Sequence, residues 1–176
     1  MSDELLAQTV RDHVRDIPDY PTAGVMFKDI TPLLADGPAF AQVIDGFAAA
    51  SRGRVDVVVG IEARGFILAA PVAVALRAGF VPIRKAGKLP HTTIGAAYDL
   101  EYGTAEIEVH TDGIVPGQRV LVVDDVLATG GTAEAACELV ERAGGVVAGL
   151  SVLLELTFLN GRARLSGRDV RALVAV

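Results

Sequence analysis

Two adjacent carboxylates and a loop of small residues occur together between Val120 and Thr132. Asp124 and Asp125 follow four branched apolar residues that predict a buried strand, and a helical pattern begins after the loop. The loop residues have backbone N–H groups that can converge with little side-chain obstruction; they are Ala128, Thr129, Gly130, Gly131 and Thr132. Because a helix N-terminus adds partial positive charge, the loop is suited to an anion, and we expect phosphate.

The carboxylates need a different partner, since they would repel a phosphate. They can accept hydrogen bonds from sugar hydroxyls or hold a hydrated metal ion. Phosphate donors and hydroxyl acceptors so close together predict a site for a ribose 5-phosphate. The alternative is a strand-to-helix turn in which Asp125 or Thr129 only caps a helix. The acidic pair in the same stretch favours the phosphate site, and the two common glycine-rich nucleotide motifs are absent from the sequence.

Two further segments could hold a second phosphate group. The segment Gly60–Gly65 lies between a predicted strand and a predicted helix, so it should reach the same rim as the first loop. Arg64 could bind phosphate there through two parallel hydrogen bonds, or it could pair with Glu62 or a surface carboxylate. The segment Arg84–Lys88 is a basic cluster, which is either a solvated face or a pyrophosphate site. In an acidic protein with two phosphate-suited loops, pyrophosphate binding is the better interpretation.

The remaining reactive side chains carry less information. A Glu101–Tyr102 pair is by itself ordinary surface composition. Cys137 lies among apolar residues of a helical pattern, which indicates core packing rather than a nucleophile. The spacing of the histidines does not indicate a zinc site; they are His13, His91 and His110.

Composition limits the classes of protein that this sequence can represent. With 176 residues, 51% of them apolar and 22% charged, the chain predicts one folded domain rather than a disordered segment. The net charge of −6 argues against nonspecific binding to nucleic acid or to an anionic membrane. A single cysteine excludes an internal disulfide and is compatible with a reducing cytosol. With no apolar run of about 20 residues and no apparent secretion signal, we expect a soluble cytoplasmic protein.

Periodicity predicts the elements that position these residues. Predicted helices cover Leu5 to Ile17, a segment starting at Asp36, Gly65 to Ala78, and the region around Ala133 to Val140. Buried strands are predicted at Val55 to Val59, Phe80 to Ile83, Val120 to Val123 and Val146 to Leu154, with an exposed edge strand at Glu106 to His110. The stretch from Lys85 to Leu100 shows no periodicity and predicts a long mobile loop with a function.

Alternating buried strands and helices predict an α/β fold with a central, mainly parallel sheet flanked by helices. Ligands then bind beyond the carboxyl ends of the strands, where the phosphate loop lies. We expect one domain over residues 1–176, with a core at about 36–155. Residues 1–35 and 156–176 do not continue the alternation and could form a cap.

Six segments together resemble one enzyme family, and they run in order through nearly the whole chain. They are Pro18–Leu34, Gly60–Phe66, Arg84–Pro90, Leu100–Gly103, Val123–Thr132 and Glu155–Arg162. The stretch Val123–Thr132 resembles the phosphoribosyl-pyrophosphate (PRPP) motif of type I phosphoribosyltransferases. The sequences Leu-Glu-Tyr-Gly and Gly-Val-Met-Phe-Lys-Asp narrow the resemblance to adenine phosphoribosyltransferases.

The resemblance implies a purine salvage enzyme that forms AMP and pyrophosphate from adenine and PRPP, requires Mg²⁺ and is a homodimer with a small N-terminal hood. The 5′-phosphate and ribose would be held by Ala128, Thr129, Gly130, Gly131 and Thr132 and by Asp124 and Asp125. Pyrophosphate would be held by Glu62, Ala63, Arg64, Arg84 and Lys88, with Arg84 reaching across the dimer. Adenine would be bound by Val25, Phe27, Lys28 and Leu156. The catalytic residues would be Glu101, as acid/base near N7, with Tyr102 and Arg64.

The resemblance further implies a non-proline cis peptide between Glu62 and Ala63, and no strong protein ligand for Mg²⁺. The ion would bind mainly through PRPP and water, with Asp124 or Asp125 as the available carboxylates. Two rival functions remain at this point. One is transfer to another purine, such as hypoxanthine or xanthine. The other is a non-enzymatic PRPP sensor, which would need an effector domain or a basic DNA-binding helix that the sequence lacks.

Overall fold

The computed structural model describes residues 3–99 and 104–176, and a seven-stranded sheet with helices on both faces dominates this part. The α-helices are α1 (Asp3–His13), α2 (Thr31–Ala35), α3 (Gly37–Ser51), α4 (Arg64–Leu76) and α5 (Gly131–Arg142). The strands are β1 (Arg15–Ile17), β2 (Phe27–Asp29), β3 (Val57–Ile61), β4 (Gly79–Lys85), β5 (Thr93–Asp99), β6 (Thr104–His110), β7 (Arg119–Leu127), β8 (Val146–Glu155) and β9 (Val170–Ala175). Two 3-10 helices, Thr157–Leu159 and Gly161–Leu165, connect β8 to β9.

The large sheet has the strand order β5-β6-β4-β3-β7-β8-β9. The five strands from β4 to β9 in this order are parallel, and β6 and β5 are added antiparallel at one side. The predicted fold class, an α/β protein with a mainly parallel sheet, is therefore confirmed. β1 and β2 form a separate antiparallel pair near the N-terminus.

Both faces of the parallel strands are buried, which explains their uninterrupted apolar sequences. One core cluster contains Val59 together with Leu139 of α5. The cluster on the opposite face contains Val58 with Phe47 of α3 and Leu68 of α4. Covered in this way, the sheet leaves the carboxyl ends of its strands as an edge on which loops can bind a ligand.

The first helix is shorter than predicted. The periodicity predicted a helix from Leu5 to Ile17, but α1 ends at His13 and the next residues form β1. Pairing with β2 outweighs the helical pattern there. Asp16 lies opposite Lys28 in this pair, and their side chains form an ion pair with an O–N distance of 2.7 Å.

The prediction of a long loop from Lys85 to Leu100 was wrong, because residues 93–99 form β5 and pair with β6. The strand was missed because small residues separate its three inward-facing ones; Ala96 is buried, and Ile94 and Tyr98 pack against the core. β6 was predicted as an exposed edge, yet it lies between β5 and β4.

The C-terminal residues extend the sheet, contrary to the expectation that they do not continue the alternation. β9 pairs parallel with β8 and is the last strand on that side. The alternation of strands and helices was not recognised here because two short 3-10 helices, rather than an α-helix, make the crossover. Of the helices in residues 3–99 and 104–176, none combines the length and apolar character needed to cross a membrane.

Candidate functional site

Several of the sequence-predicted site residues meet at the carboxyl edge of β3 and β7, which are adjacent parallel strands with Gly60 opposite Val123. β3 is followed by a cis peptide between Glu62 and Ala63, which confirms that prediction. α4 begins directly afterwards. A Cβ atom on Gly65 would lie 2.9 Å from Oδ1 of Asp124, so only a glycine allows the start of α4 to pack this closely against the end of β7.

The small-residue loop forms a cavity of about 70 Å³ at the N-terminus of α5. Gly130 is the N-cap of α5, with a φ of 86°, and the described residues provide no side-chain cap for this helix. The alternative in which Asp125 or Thr129 caps the helix is therefore not what the structure shows. The first-turn N–H groups of α5 are left for another acceptor, as an anion site requires. The cavity is lined by Asp124, Val126, Leu127, Ala128, Thr129, Gly130, Gly131, Thr132, Ala133 and Val152.

The two aspartates have different surroundings. Asp124 is half-buried, and its Oδ1 accepts a hydrogen bond from the Asp125 N–H at 2.8 Å. Burial, and then repulsion from Asp125, raise the pKa of Asp124 well above its ordinary value. Asp125 is more deeply buried, and its Oδ2 lies 2.8 Å from a guanidinium nitrogen of Arg64. Asp125 thus has a cationic partner, whereas charge on Asp124 is unfavourable in this structure.

Arg64 connects the sheet to the N-terminal segment. Besides the ion pair with Asp125, it donates a hydrogen bond of 2.9 Å to the carbonyl oxygen of Lys28. Its guanidinium carbon lies 4.8 Å from the centre of the Phe27 ring, which is a cation–π contact. The sequence left open a pair between Arg64 and Glu62, but Asp125 is the partner in the structure. One side chain therefore touches parts of both the predicted ribose site and the predicted base site.

The predicted pyrophosphate residues form a second group. Glu62 accepts hydrogen bonds from the Lys85 N–H at 2.9 Å and from Arg84 at 3.1 Å. These two bonds lower the pKa of Glu62 below its ordinary value. Arg84 also donates to the carbonyl oxygen of Lys88 at 2.9 Å, and the Lys88 residue is exposed. The turn carrying the basic cluster is thereby attached to the loop after β3.

The predicted base-site residues are only partly brought together. Phe27 and Lys28 meet at Arg64, while the Lys28 ammonium is occupied by Asp16. Val25 is exposed in the turn before β2. Leu156 directly follows β8, and its N–H donates to the Leu127 carbonyl oxygen at 2.9 Å.

The predicted catalytic pair, Glu101 and Tyr102, lies outside the described residues.

One organising residue was missed from the sequence. Glu108 on β6 is buried and accepts hydrogen bonds from the Lys88 and Leu89 N–H groups and from the Thr93 hydroxyl, each at 3.0 Å. It therefore fixes the turn that carries the basic cluster. In the sequence, Glu108 lies between two apolar residues, Ile107 and Val109, and this pattern was interpreted as the alternation of an exposed edge strand.

The carboxyl edge does not contain a metal site made of protein ligands alone. In the part of the chain that the structure describes, no group of three or more His, Cys, Asp or Glu side chains could hold a metal ion. The adjacent pair Asp124 and Asp125 could contribute at most a few oxygens, and Asp125 is already paired with Arg64. These residues fit a hydrated ion whose other ligands come from a phosphorylated substrate. Two larger cavities, of about 240 and 480 Å³, lie beside α3 and contain none of the predicted site residues. A third, of about 200 Å³, is lined in part by Lys28, a predicted base-site residue.

Comparison with known proteins agrees with this geometry. A family model described as a phosphoribosyl transferase domain matches residues 33–169. The adenine phosphoribosyltransferase of Thermobifida fusca is 62% identical over 165 residues, which cover 93% of this chain and 94% of that protein. The chain belongs to the adenine phosphoribosyltransferase family. Both the predicted family and the predicted enzyme class, a phosphoribosyltransferase of purine salvage, are confirmed.

Solved structures of adenine phosphoribosyltransferases have the same fold. The crystal structure of the Thermoanaerobacter pseudethanolicus enzyme has a TM-score of 0.94 and 48% identity, covering 97% of this chain and 99% of that one. The Trypanosoma brucei enzyme, in complex with AMP, pyrophosphate and ribose-5-phosphate, has a TM-score of 0.90 and 26% identity, covering 99% of this chain and 81% of that one. The similarity therefore extends over nearly the whole of this chain.

Proposed function

We propose that this chain transfers the 5-phosphoribosyl group from PRPP to adenine, giving AMP and pyrophosphate, at the carboxyl edge of β3 and β7. The observation that carries the proposal is the Asp124–Asp125 pair beside an uncapped helix N-terminus, in a chain of the adenine phosphoribosyltransferase family. The pair supplies acceptors for ribose hydroxyls, and the helix supplies donors for the 5′-phosphate.

The phosphate loop would bind the 5′-phosphate through backbone N–H groups and the hydroxyls of Thr129 and Thr132. The open N-terminus of α5 supports this role, because its donors have no side-chain partner among the described residues. Ala128, Gly130 and Gly131 leave room for the anion between the loop and the helix.

Asp124 and Asp125 would accept hydrogen bonds from the ribose hydroxyls. The ion pair with Arg64 supports this for Asp125, since it gives the carboxylate a cationic partner at the edge of the site. Mg²⁺ would be held mainly by PRPP oxygens and water, with either aspartate as the available protein ligand. When bound, the ion would stabilise the charge on the departing pyrophosphate.

The pyrophosphate group would be bound by Arg64, Lys88 and the backbone around Ala63. Glu62 is ionised, as its lowered pKa shows, so its side chain would repel the phosphates. Its proposed contribution is to orient Arg84, to which it is hydrogen-bonded at 3.1 Å. These cations would balance the negative charge that accumulates as the C1′–oxygen bond breaks.

Adenine would bind between the N-terminal segment and the C-terminal end of β8, in contact with Val25, Phe27, Lys28 and Leu156. The contacts of Arg64 with Phe27 and Lys28 support a base site next to the ribose site. Displacement at C1′ develops oxocarbenium character, and a proton must leave the base after N9 bonds to C1′. We propose that Glu101 acts as the acid/base that exchanges a proton with adenine N7. The segment containing Tyr102 would close the site and exclude water.

The whole molecule is proposed to be a cytoplasmic homodimer of single-domain chains, without nucleic-acid or membrane partners. Residues 1–35 would form the hood and 36–155 the core, to which the C-terminal segment, residues 156–176, adds the strand β9. The outer surface of α4 supports dimerisation, because Ile67 and Val74 on it, and Phe80 at the start of β4, are exposed. Arg84 follows Phe80 on β4 and would reach the partner's site. The single buried cysteine, Cys137, supports a reducing compartment.

The test is a base-specificity assay with PRPP and either Mg²⁺ or a chelator. We expect AMP and pyrophosphate from adenine, little product from hypoxanthine or xanthine, and no activity without the metal. Faster turnover of another purine would contradict the assigned base. Binding of PRPP without its consumption in the presence of any purine would instead favour a PRPP sensor.

A further inference from the structure

The segment after β8 packs directly against the phosphate loop. A Cβ atom on Gly161 would overlap the Ala128 carbonyl oxygen and lie 2.9 Å from the Gly130 nitrogen. Conversely, a Cβ on Gly130 would overlap the Gly161 carbonyl oxygen. The two backbones therefore touch at positions where neither has a side chain. Gly161 does not have a positive φ, so space alone, and not backbone conformation, requires a glycine there.

Arg162, the next residue, fixes this segment to the sheet. Its Nε donates to Oε1 of Glu155 at 2.9 Å, and its Nη2 contacts Oε2 of the same carboxylate. Its Nη1 donates to the Val170 carbonyl oxygen at 2.7 Å. Only 9% of the Glu155 side chain is exposed, so this two-point ion pair is shielded from solvent on one side. The guanidinium thereby joins the end of β8 to the beginning of β9.

Two more contacts fix the same segment to the elements on either side of the phosphate loop. The Leu156 N–H donates to the Leu127 carbonyl oxygen, at the last residue of β7, at 2.9 Å. Arg164 forms an ion pair of 3.2 Å with Glu134 in the first turn of α5. The position of Gly161 is therefore determined relative to both the strand before the loop and the helix after it.

We propose that Gly161 and Arg162 are positioning residues, which hold the Ala128–Gly130 backbone in the conformation that converges its N–H groups on the 5′-phosphate. They act through the loop, and Arg162 acts through Gly161. This inference rests on the proposed function, since it requires a 5′-phosphate at the loop. It predicts a selective defect: ligands that carry the 5′-phosphate should bind weakly, while pyrophosphate, on the other side of the site, should not be affected.

The direct test is Gly161→Ala, measured by calorimetric titration with ribose 5-phosphate and, separately, with pyrophosphate and Mg²⁺. Because hydrogen bonds weaken steeply with distance and angle, we expect ribose 5-phosphate affinity to fall by at least about tenfold. Pyrophosphate affinity should stay within about twofold, since no contact to its proposed site is altered. In steady state, the KM for PRPP should rise more than kcat falls.

Gly149→Ala is the matched control, because it makes the same change on β8 at a position where the added methyl group meets its nearest neighbour at 3.5 Å. We expect wild-type affinity for both probes from this variant. Arg162→Lys is the second test, should Gly161→Ala show no folded melting transition. Lysine keeps the charge but cannot make the two-point contact with Glu155, so ribose 5-phosphate affinity should fall several-fold with pyrophosphate affinity unchanged.

A folded Gly161→Ala variant with wild-type ribose 5-phosphate affinity would overturn the proposal. If that variant does not fold, Arg162→Lys decides: equal losses for both probes, or no loss for either, would also overturn it. A wild-type protein that neither binds ribose 5-phosphate nor forms AMP would contradict the proposed function itself. That result is distinguishable, because it does not depend on any variant.

Discussion

At the scale of single residues, Asp124 and Asp125 are sequence neighbours with opposite electrostatic situations. Asp125 is buried and paired with Arg64, so its charge is compensated. Asp124 is disfavoured as an anion, because burial and its neighbour raise its pKa. An unfavourable charge in a binding site is typical of a side chain whose compensating partner is supplied by the bound ligand.

Asp124→Asn and Asp125→Asn should weaken the use of PRPP far more than the use of adenine. Losing a charge-assisted hydrogen bond to a ribose hydroxyl should cost about 1.5–3 kcal/mol for each variant. The measurement is the KM for each substrate and kcat. If both variants keep the wild-type KM for PRPP and the wild-type kcat, neither carboxylate contacts the sugar.

The same Asp124→Asn variant should stabilise the free protein. Since the pKa of Asp124 is raised on folding, ionisation in the unfolded chain opposes folding once the pH exceeds the ordinary value of 3.8. The cost grows as the pH rises from there to the folded-state pKa and is then constant. The melting temperature of the variant should therefore exceed that of wild type at pH 8, and the difference should shrink towards pH 4. A lower melting temperature at pH 8 would contradict the unfavourable charge.

Glu101→Gln tests the proposed proton transfer at adenine N7. The amide keeps the shape of the side chain but removes its acid/base capacity, so kcat should fall by about 10²–10⁴-fold. PRPP affinity should barely change, because the carboxylate would face the base. Glu101→Leu should also raise the KM for adenine, by leaving a base edge unpaired. Turnover of the Gln variant within a few-fold of wild type would mean that Glu101 only positions the base.

At the scale of elements, the β5–β6 pair determines where the basic cluster lies. The turn before β5 is anchored by the Glu108 carboxylate on β6, which accepts from Lys88, Leu89 and Thr93. Burial alone would raise the pKa of Glu108, but the hydrogen bonds from these residues outweigh it and lower the pKa. The basic cluster is therefore fixed by Glu108, whose anchoring role on β6 the sequence did not reveal.

Glu108→Gln should loosen this turn without unfolding the sheet. An amide oxygen is a weaker acceptor than a carboxylate, so the Lys88 and Leu89 amides should exchange with solvent faster, while β5 amides paired with β6 keep their protection. Hydrogen exchange by mass spectrometry or NMR measures this. Glu106→Gln, at an exposed position of the same strand, is the control.

Unchanged exchange at Lys88 and Leu89 in Glu108→Gln would show that the carboxylate does not anchor the turn.

The pH dependence of hydrogen exchange in this turn should also come from the Glu108 carboxylate. Because the pKa of Glu108 is lowered on folding, its stabilising effect is present above the ordinary value of 4.5 and is lost as the pH falls through the lowered folded-state value. Wild-type turn amides should therefore lose protection only in acid.

At the scale of the whole molecule, α4 is apolar on nearly all sides. Its inner side packs against the sheet and α3, yet Val74 on its outer side is 78% exposed. Ile67 and Phe80 are also exposed, and Phe66 contacts the Phe80 ring edge-on at 5.9 Å. A helix that is apolar all round is normally covered on every side. The proposed homodimer would cover this one.

Val74→Asp should therefore convert the dimer to monomers, because a carboxylate would be desolvated in the interface. Light scattering after size exclusion should give about twice the chain mass of 18.3 kDa for wild type and one chain mass for the variant. Val115→Asp, an exposed valine in the turn before β7, is the control and should stay dimeric. A monomeric wild type, or a dimeric Val74→Asp, would contradict an interface on α4.

Local patterns in the sequence predicted the phosphate loop, the acidic pair and the alternation of buried strands with helices. These features depend on neighbours along the chain: a strand that ends in carboxylates, small residues, and then a helix start. The sequence did not reveal the features that depend on contacts between distant segments. In β5, small residues separate the inward-facing ones, so the strand pattern is weak. Glu108 fits the alternation of an exposed strand although it is buried. β9 follows two short 3-10 helices instead of an α-helix.

The sequence by itself therefore determined which chemical groups the site contains, because backbone N–H groups donate hydrogen bonds and carboxylates accept them in any fold. Only the tertiary structure decided which groups meet. Arg64 pairs with Asp125 rather than Glu62, and Gly161 rests on a loop some thirty residues earlier in the chain. Such contacts are set by the register of parallel strands and by close backbone packing. Residues far apart in sequence determine both, so no local pattern predicts them.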